Sequence, residues 1–182
     1  MTGPGATTRS PRRARLLPAL AACLLAACAA TPPTHSTAGE VVFIVVRHAE
    51  KAEDGTRDPA LSEAGHLRAV RLAQRFADRP LAAIYTTDLR RTRQTVAPVA
   101  SAQRLEMRTY DPREPAASFV ARLLSAHPQG TVLVAGHSNT VPAIVGALCA
   151  CDADDMPETE FDRISTVQIG PDGKARLETA RY

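Results

Sequence analysis

Apolar and polar residues alternate along the chain in blocks that predict strands followed by helices. The first block is a run of six apolar, mostly β-branched residues at 41–46, with no polar interruption. Such a run is typical of a strand that is buried on both faces in the middle of a parallel sheet. Shorter apolar runs at 81–85 and 131–135 predict two further strands, and residues 105–110 predict an edge strand.

Apolar residues at helical spacing lie between these strands. Ser62 is expected to be the N-cap of a first helix that Pro80 stops. Thr87 or Asp88 is expected to cap a second helix, which Pro98 should kink or end. The predicted buried stripe of the first helix consists of Leu67, Val70, Ala73 and Ala77, flanked by Ala69, Leu72 and Phe76.

Two more helices complete the alternation. One begins near Pro115 with a core face at 119–124, and the other has Pro142 in its first turn and a buried side at 141–148. Residues 164–169 and 175–179 then predict a hairpin. We therefore expect an α/β fold, a three-layer sandwich with a mostly parallel central sheet flanked by helices and a C-terminal β-hairpin.

The N-terminal segment has the pattern of an export signal. Four arginines between residues 9 and 15 precede an apolar run of fifteen residues, which is short for a membrane span but suits a signal-peptide core. Leu25–Cys28 resembles the lipobox of bacterial lipoproteins, in which the cysteine is lipidated, and Cys23 ends a second, less favourable match. Plain secretion or an uncleaved anchor are the alternatives.

These observations predict three segments. Residues 1–27 are expected to form a lipoprotein-type signal peptide, residues 28–40 the lipidated Cys28 with a flexible tether, and residues 41–182 the folded domain, whose function is considered below. The protein is then expected to face the periplasm of the bacterial cell envelope, held to the membrane by its lipid. The bases beyond residue 27 number 18 (22 less four) against 19 acids, so no charge pattern indicates nucleic-acid binding.

An exported domain meets an oxidising compartment, where cysteines can pair. Cys149 and Cys151 are separated by one residue, and a bridge between them would be tight. The sequence therefore favours two small buried apolar residues over a disulfide.

Charged and imidazole side chains follow the predicted strands. Arg47 and His48 follow the first strand, Arg91 lies in the first turn of the second helix, and His137 follows a later strand. Ligands of α/β sheets bind beyond the carboxyl ends of the strands. Two guanidinium groups and two imidazoles in one pocket would prefer a phosphoryl group. No cluster has metal-ligand spacing and no phosphate-binding loop with lysine is present, so no metal or other cofactor is predicted.

These motifs resemble those of the histidine phosphatase (phosphoglycerate-mutase-like) superfamily, in particular a short exported branch. The resemblance rests on Arg47-His48, on the segment from Tyr85 to Arg91, and on Gly136-His137-Ser138. It implies that His48 is the phosphorylated nucleophile and that Arg47, Arg91 and His137, expected to be cationic, bind the phosphoryl oxygens. Ala49 replaces the usual glycine, which should be tolerable if its φ is negative.

The family's proton donor is a carboxylate in a variable segment. Glu114 is the first choice here, and Asp111 and Glu50 are rivals. The function implied is metal-independent hydrolysis of a small phosphorylated substrate, such as a sugar phosphate, or of a phosphoprotein, through a phosphohistidine. The alternatives are an envelope lipoprotein that binds a phosphorylated ligand without turnover, and phosphoryl transfer of the phosphoglycerate mutase type.

Overall fold

The computed structural model describes residues 1–3 and 39–182. The predicted signal peptide, the predicted lipidation site at Cys28 and nearly all of the predicted tether lie outside this range. Among the described residues, no helix is both long and apolar enough to cross a membrane. The described residues 39–182, which include the whole predicted catalytic domain, belong to one compact unit.

Six strands form one sheet in the order β3-β2-β4-β1-β5-β6. The first four strands are parallel, and β5 pairs antiparallel with β1 and with β6. β1 therefore lies at the centre, as predicted, beside β4. In chain order the elements are β1 (Val41–Arg47), α1 (Glu63–Arg75), β2 (Ala83–Thr86), α2 (Arg90–Gln103), β3 (Met107–Thr109), α3 (Ala116–Ala126), β4 (Gly130–Gly136), α4 (Thr140–Cys149), β5 (Arg163–Ile169) and β6 (Ala175–Arg181).

Helices cover both faces of the sheet. Phe43 and Val45 of β1 pack into one core cluster with α3 and α4. Ile44 and Val46 point the other way and pack into a second cluster with α1 and α2. This alternation explains why the strand is apolar throughout. The predicted three-layer α/β sandwich with a C-terminal hairpin is confirmed.

The predicted buried stripe of α1 was wrong in phase. Ser62 caps the helix as expected, because its hydroxyl accepts from the Gly65 N–H at 3.2 Å. However, Leu67 and Val70 are 56% and 48% exposed. The residues that face the core are Gly65, Ala69, Leu72 and Phe76.

Gly65 explains this rotation of α1. A Cβ at this position would lie 2.1 Å from the carbonyl oxygen of Glu50 in the loop after β1. The helix therefore packs through a residue without a side chain, which a hydrophobic pattern does not count. This close approach ties α1 to the segment that follows His48.

The second helix also differs from its prediction. Neither Thr87 nor Asp88 is the N-cap; the cap position is Leu89, whose side chain makes no capping bond. Asp58, from the loop before α1, accepts from the Arg90 N–H at 3.0 and 3.2 Å and replaces the cap. The helix does not end at Pro98, because it continues to Gln103 with its buried face packed against α1.

The preference for unpaired cysteines was wrong as well. Cys149 and Cys151 form a disulfide at the end of α4. Ala150 adopts a left-handed conformation with φ of 51°, and this turn brings the two Cα atoms to 5.2 Å. That separation lies within the range that a disulfide spans.

Candidate active site

The register of the central strands brings two of the predicted motifs together. Arg47 of β1 pairs with Gly136 of β4, so His48 and His137 leave the sheet at the same edge. The His48 N–H donates to the Gly136 carbonyl at 2.8 Å. The two imidazole rings meet edge to face, with centroids 5.4 Å apart.

His48 has one free nitrogen. The side chain is buried, and its Nδ1 lies 2.7 Å from the Ala49 carbonyl oxygen. Because a carbonyl only accepts, Nδ1 carries the proton and Nε2 keeps a lone pair. Burial lowers the pKa of His48 to about 4; the bond to Ala49 opposes this, and His137, Arg91 and Arg47 add to it. At neutral pH the ring is therefore uncharged and able to act as a nucleophile.

His137 is oriented by a chain of hydroxyl groups. The Thr92 hydroxyl donates to the Leu89 carbonyl at 3.0 Å and lies 2.6 Å from the Thr87 hydroxyl. Since Thr92 has already used its proton, Thr87 donates to it. Thr87 in turn lies 3.2 Å from Nε2 of His137 and accepts from it. These hydrogen-bonded hydroxyl groups fix the tautomer and the position of His137.

The expected positive charge on His137 is not present in the free protein. Burial lowers the pKa of His137 to about 4, Arg91 and Arg47 lower it further, and Glu158 opposes them. The ring is then neutral at pH 7. A bound anion would favour its protonated form, because an opposite charge raises the pKa of an imidazole.

Arg47 is almost fully buried, with 3% exposure, and holds a distant loop. Its Nη1 donates to the carbonyl oxygens of Pro157, Glu158 and Glu160 at 3.0, 2.9 and 3.1 Å. Its guanidinium carbon also lies 4.2 Å from the centre of the Phe161 ring. The arginine therefore fixes the segment 157–161 beside the two histidines.

Arg47 and Arg91 each have one buried N–H group without a hydrogen-bond partner among the described residues. In both residues this group is the Nε–H. Nη1 of Arg91 lies 3.8 Å from an Asp58 oxygen, which is an ion pair rather than a hydrogen bond. Buried donors are normally satisfied, so these two N–H groups favour an acceptor from a ligand. A phosphoryl group offers such acceptors.

Sequence reasoning missed the carboxylate that contacts this site. Glu158 accepts from Arg47 Nη2 at 2.6 Å and from the Ser138 hydroxyl at 2.5 Å. It lies in the acidic loop 152–162, whose residues have no periodicity that would indicate a contact. The only available signal was that this loop leads into β5, the neighbour of β1.

The carboxylates expected as proton donors are paired elsewhere. Each has a lowered pKa, first of all because of a hydrogen bond from an arginine outside the predicted site. Glu114 also borders a cavity of about 160 Å³ next to the first turn of α4. The pairs are Glu114 with Arg122, Asp111 with Arg113, and Glu50 with Arg68.

Two small residues of the motifs have structural roles. A Cβ on Gly136 would lie 2.7 Å from the Thr140 hydroxyl and 2.9 Å from the Tyr110 hydroxyl. The glycine thus makes room for the protein's own side chains. Ala49 does not have a positive φ, as expected, and its N–H donates to the Thr95 hydroxyl at 2.9 Å. Over the described part of the chain, no group of three His, Cys, Asp or Glu side chains could hold a metal ion.

Comparison with known proteins points to one superfamily. The family model of the histidine phosphatase superfamily (branch 1) matches residues 43–113, which include Arg47, His48 and Arg91. This match, together with the similar solved structures, supports the histidine phosphatase superfamily for this chain. Membership supports phosphoryl-transfer chemistry at the level of the family, which contains phosphatases and mutases.

Solved histidine phosphatase structures have the same fold. The protein histidine phosphatase SixA complexed with tungstate superposes with a TM-score of 0.65 at 18% identity, over 77% of this chain and 96% of that chain. A mycobacterial glucosyl-3-phosphoglycerate phosphatase gives 0.61 at 17% identity, over 78% and 99%. Phosphoglycerate mutase from Bacillus anthracis gives 0.60 at 13% identity, over 79% and 93%. No curated protein sequence matches the chain.

Proposed function

We propose that this histidine phosphatase hydrolyses phosphate monoesters without a metal ion, through a phosphohistidine on His48. The observation that carries the proposal is the state of that residue. It is buried and uncharged, and its Nε2 lone pair is free because Nδ1 is held by the Ala49 carbonyl. The guanidinium groups of Arg47 and Arg91 and the imidazole of His137 are close enough to act on its charge.

The proposed reaction has two displacements at phosphorus. Nε2 of His48 forms a bond to phosphorus while the bond to the leaving oxygen breaks, and the leaving alcohol takes up a proton. Arg47, Arg91 and His137 stabilise the charge on the remaining phosphoryl oxygens. Water then attacks phosphorus, which releases inorganic phosphate and restores the free imidazole.

The donor of the proton stays a prediction. Glu114 would have to leave Arg122 to become protonated, and the same applies to Asp111 and Glu50 with their own arginines. Each carboxylate is changed singly to its amide. The true donor is the one whose loss slows hydrolysis of alkyl phosphates strongly and of activated aryl phosphates little, since an aryl oxide leaves without a proton.

The short segment between Arg91 and His137 favours a phosphatase over a mutase. Between Arg91 and His137 lie only the rest of α2, β3, α3 and β4. This leaves little chain for a large lid of the kind expected in glycolytic mutases. The names of the similar structures suggest the first substrates to screen, namely a phosphohistidine protein and a sugar phosphate.

We also propose that the protein is exported and anchored in the bacterial envelope by lipid on Cys28. The Cys149–Cys151 disulfide supports an oxidising compartment. Metabolic labelling with a radioactive fatty acid tests the anchor. Label should appear in the wild type and disappear in Cys28→Ser, and label retained by that variant would contradict the assignment.

The decisive assay measures hydrolysis of an aryl phosphate by the full chain in detergent, with excess chelator. We expect turnover in the wild type and in the control His66→Ala, which alters an exposed position of α1, but not in His48→Ala. Rapid quenching in alkali should trap phosphate on His48, which mass spectrometry can locate. Equal turnover by wild type and His48→Ala would overturn the mechanism. Phosphate binding without turnover would favour the ligand-binding alternative.

A further inference from the structure

We propose that the Glu158 carboxylate is a built-in anion that occupies part of the phosphoryl-binding site, so that phosphorylated ligands must displace it. The inference rests on the proposed function, because it assumes that the site binds phosphoryl groups. It concerns a residue for which the sequence predicted no role.

The contacts of Glu158 are those that a phosphoryl group would make. One carboxylate oxygen accepts from the Arg47 guanidinium at 2.6 Å, and the other accepts from the Ser138 hydroxyl at 2.5 Å. Arg47 belongs to the first family motif and Ser138 to the last one. The carboxylate thus joins donors from two motifs by its own two oxygens, as a bidentate oxyanion does.

A counter-charge at this point stabilises the free protein. The Arg47 side chain is 4% exposed, and an unpaired buried cation costs several kcal/mol in desolvation. Asp58 plays a similar part for Arg91 at 3.8 Å. Glu158 is the closer of the two counter-charges. Its pKa is lowered first of all by the Ser138 hydrogen bond, with Arg47 and His48 adding to this, and Glu158 in turn opposes the lowering of the His137 pKa.

The loop can stay in place when the carboxylate leaves. Arg47 holds segment 157–161 through three carbonyl oxygens and the Phe161 ring, and none of these contacts involves the Glu158 side chain. The Glu158 side chain is itself 79% exposed, so water is available to it on the outer side. A rotation about its side-chain torsions would therefore free Arg47 Nη2 and Ser138 without unfolding the loop.

This arrangement has a consequence for affinity. A phosphate dianion that binds Arg47 either displaces the Glu158 carboxylate or meets its negative charge at close range. In both cases the carboxylate weakens anion binding, and its return to Arg47 favours release of inorganic phosphate after hydrolysis. Glu158 would thus lower the affinity for phosphorylated ligands and speed the release of inorganic phosphate.

The test compares the binding of inorganic phosphate by calorimetry at low salt and neutral pH. Glu158→Gln retains groups that can bond to Ser138 but removes the charge, and Glu158→Ala removes both. Glu178→Gln is the matched control, because Glu178 is an exposed carboxylate paired with Arg176 on β6. We expect both Glu158 variants to bind phosphate about five-fold or more tightly than wild type, with a smaller gain at high salt.

The possible outcomes distinguish failure of the proposed role of Glu158 from failure of the proposed function. If the wild type binds phosphate and both Glu158 variants bind it equally or more weakly, the built-in anion is refuted while the proposed function stands. If no variant binds phosphate, the proposed function is contradicted and the inference with it. Thermal unfolding of each variant verifies that the protein measured is folded. If the glutamine side chain still contacts Arg47 and Ser138 and so hinders phosphate binding, Glu158→Ala tests the proposal instead.

Discussion

Replacing Gly65 by alanine should destabilise the protein, although glycine-to-alanine changes in helices normally stabilise. Alanine is favoured inside a helix by about 0.5–1 kcal/mol. At this position, however, the new Cβ would stand 2.1 Å from the Glu50 carbonyl oxygen. Side-chain carbons do not approach other atoms closer than 3.0 Å, so α1 and the loop after β1 must separate by roughly 1 Å.

The separation has two costs. Forcing a methyl group into a packed interior typically costs about 1–3 kcal/mol. The Ser62 N–H donates to the same carbonyl at 2.9 Å, and losing that bond adds about 0.5–1.5 kcal/mol. After the gain in helix propensity is subtracted, the free energy of unfolding should fall by about 0.5–4 kcal/mol.

Urea denaturation of the variant and the wild type measures this difference. Ala64→Gly is the control, because Ala64 is the exposed neighbour in the same helix and reports the glycine–alanine difference without a clash. Phosphate binding should weaken too, since Glu50 lies two residues after His48. A Gly65→Ala protein as stable as the wild type, or more stable, would refute the role given to this contact.

Two further predictions concern the histidines. In an NMR pH titration of the free protein, His48 and His137 should titrate near pH 4, whereas an ordinary imidazole titrates near 6.5. Between pH 4 and 6.5 the unfolded chain then binds more protons than the folded protein, so the free energy of unfolding should fall as the pH drops from 6.5 to 4. If both histidines titrated near 6.5, burial would not lower their pKa values. Thr87→Val should lower kcat/KM about ten-fold or more, because it removes the hydroxyl group that holds His137, whereas Thr87→Ser should retain activity. Equal rates for the two variants would exclude a role of Thr87 in orienting His137.

The sequence was most informative where one local signal decides the structure. The run at 41–46 predicted a doubly buried strand. Parallel strands of this kind put Arg47, His48 and His137 at one edge of the sheet. The structure brings these residues and Arg91 together as that argument predicts. Chain-local patterns suffice here because parallel neighbours share the same carboxyl edge.

Other features depend on contacts between segments far apart in the chain. The orientation of α1 follows from Gly65 against a carbonyl, and the start of α2 is capped by Asp58 from another loop. Glu158 reaches the site because Arg47 holds its loop from 111 residues away. None of these contacts leaves a hydrophobic period or a motif, so sequence patterns alone could not have found them.

The hydrogen bonds from Arg47 to the loop 157–160 have implications for how this protein could diversify. Three of them go to main-chain carbonyl oxygens, which every amino acid possesses, so they do not depend on the side chains at those positions, and only the ion pair with the Glu158 carboxylate does. Substitutions there could alter the charge and shape at the mouth of the site while the anchoring of the loop is preserved. Evolution, or an engineer, could retune substrate choice at these positions without rebuilding the catalytic centre.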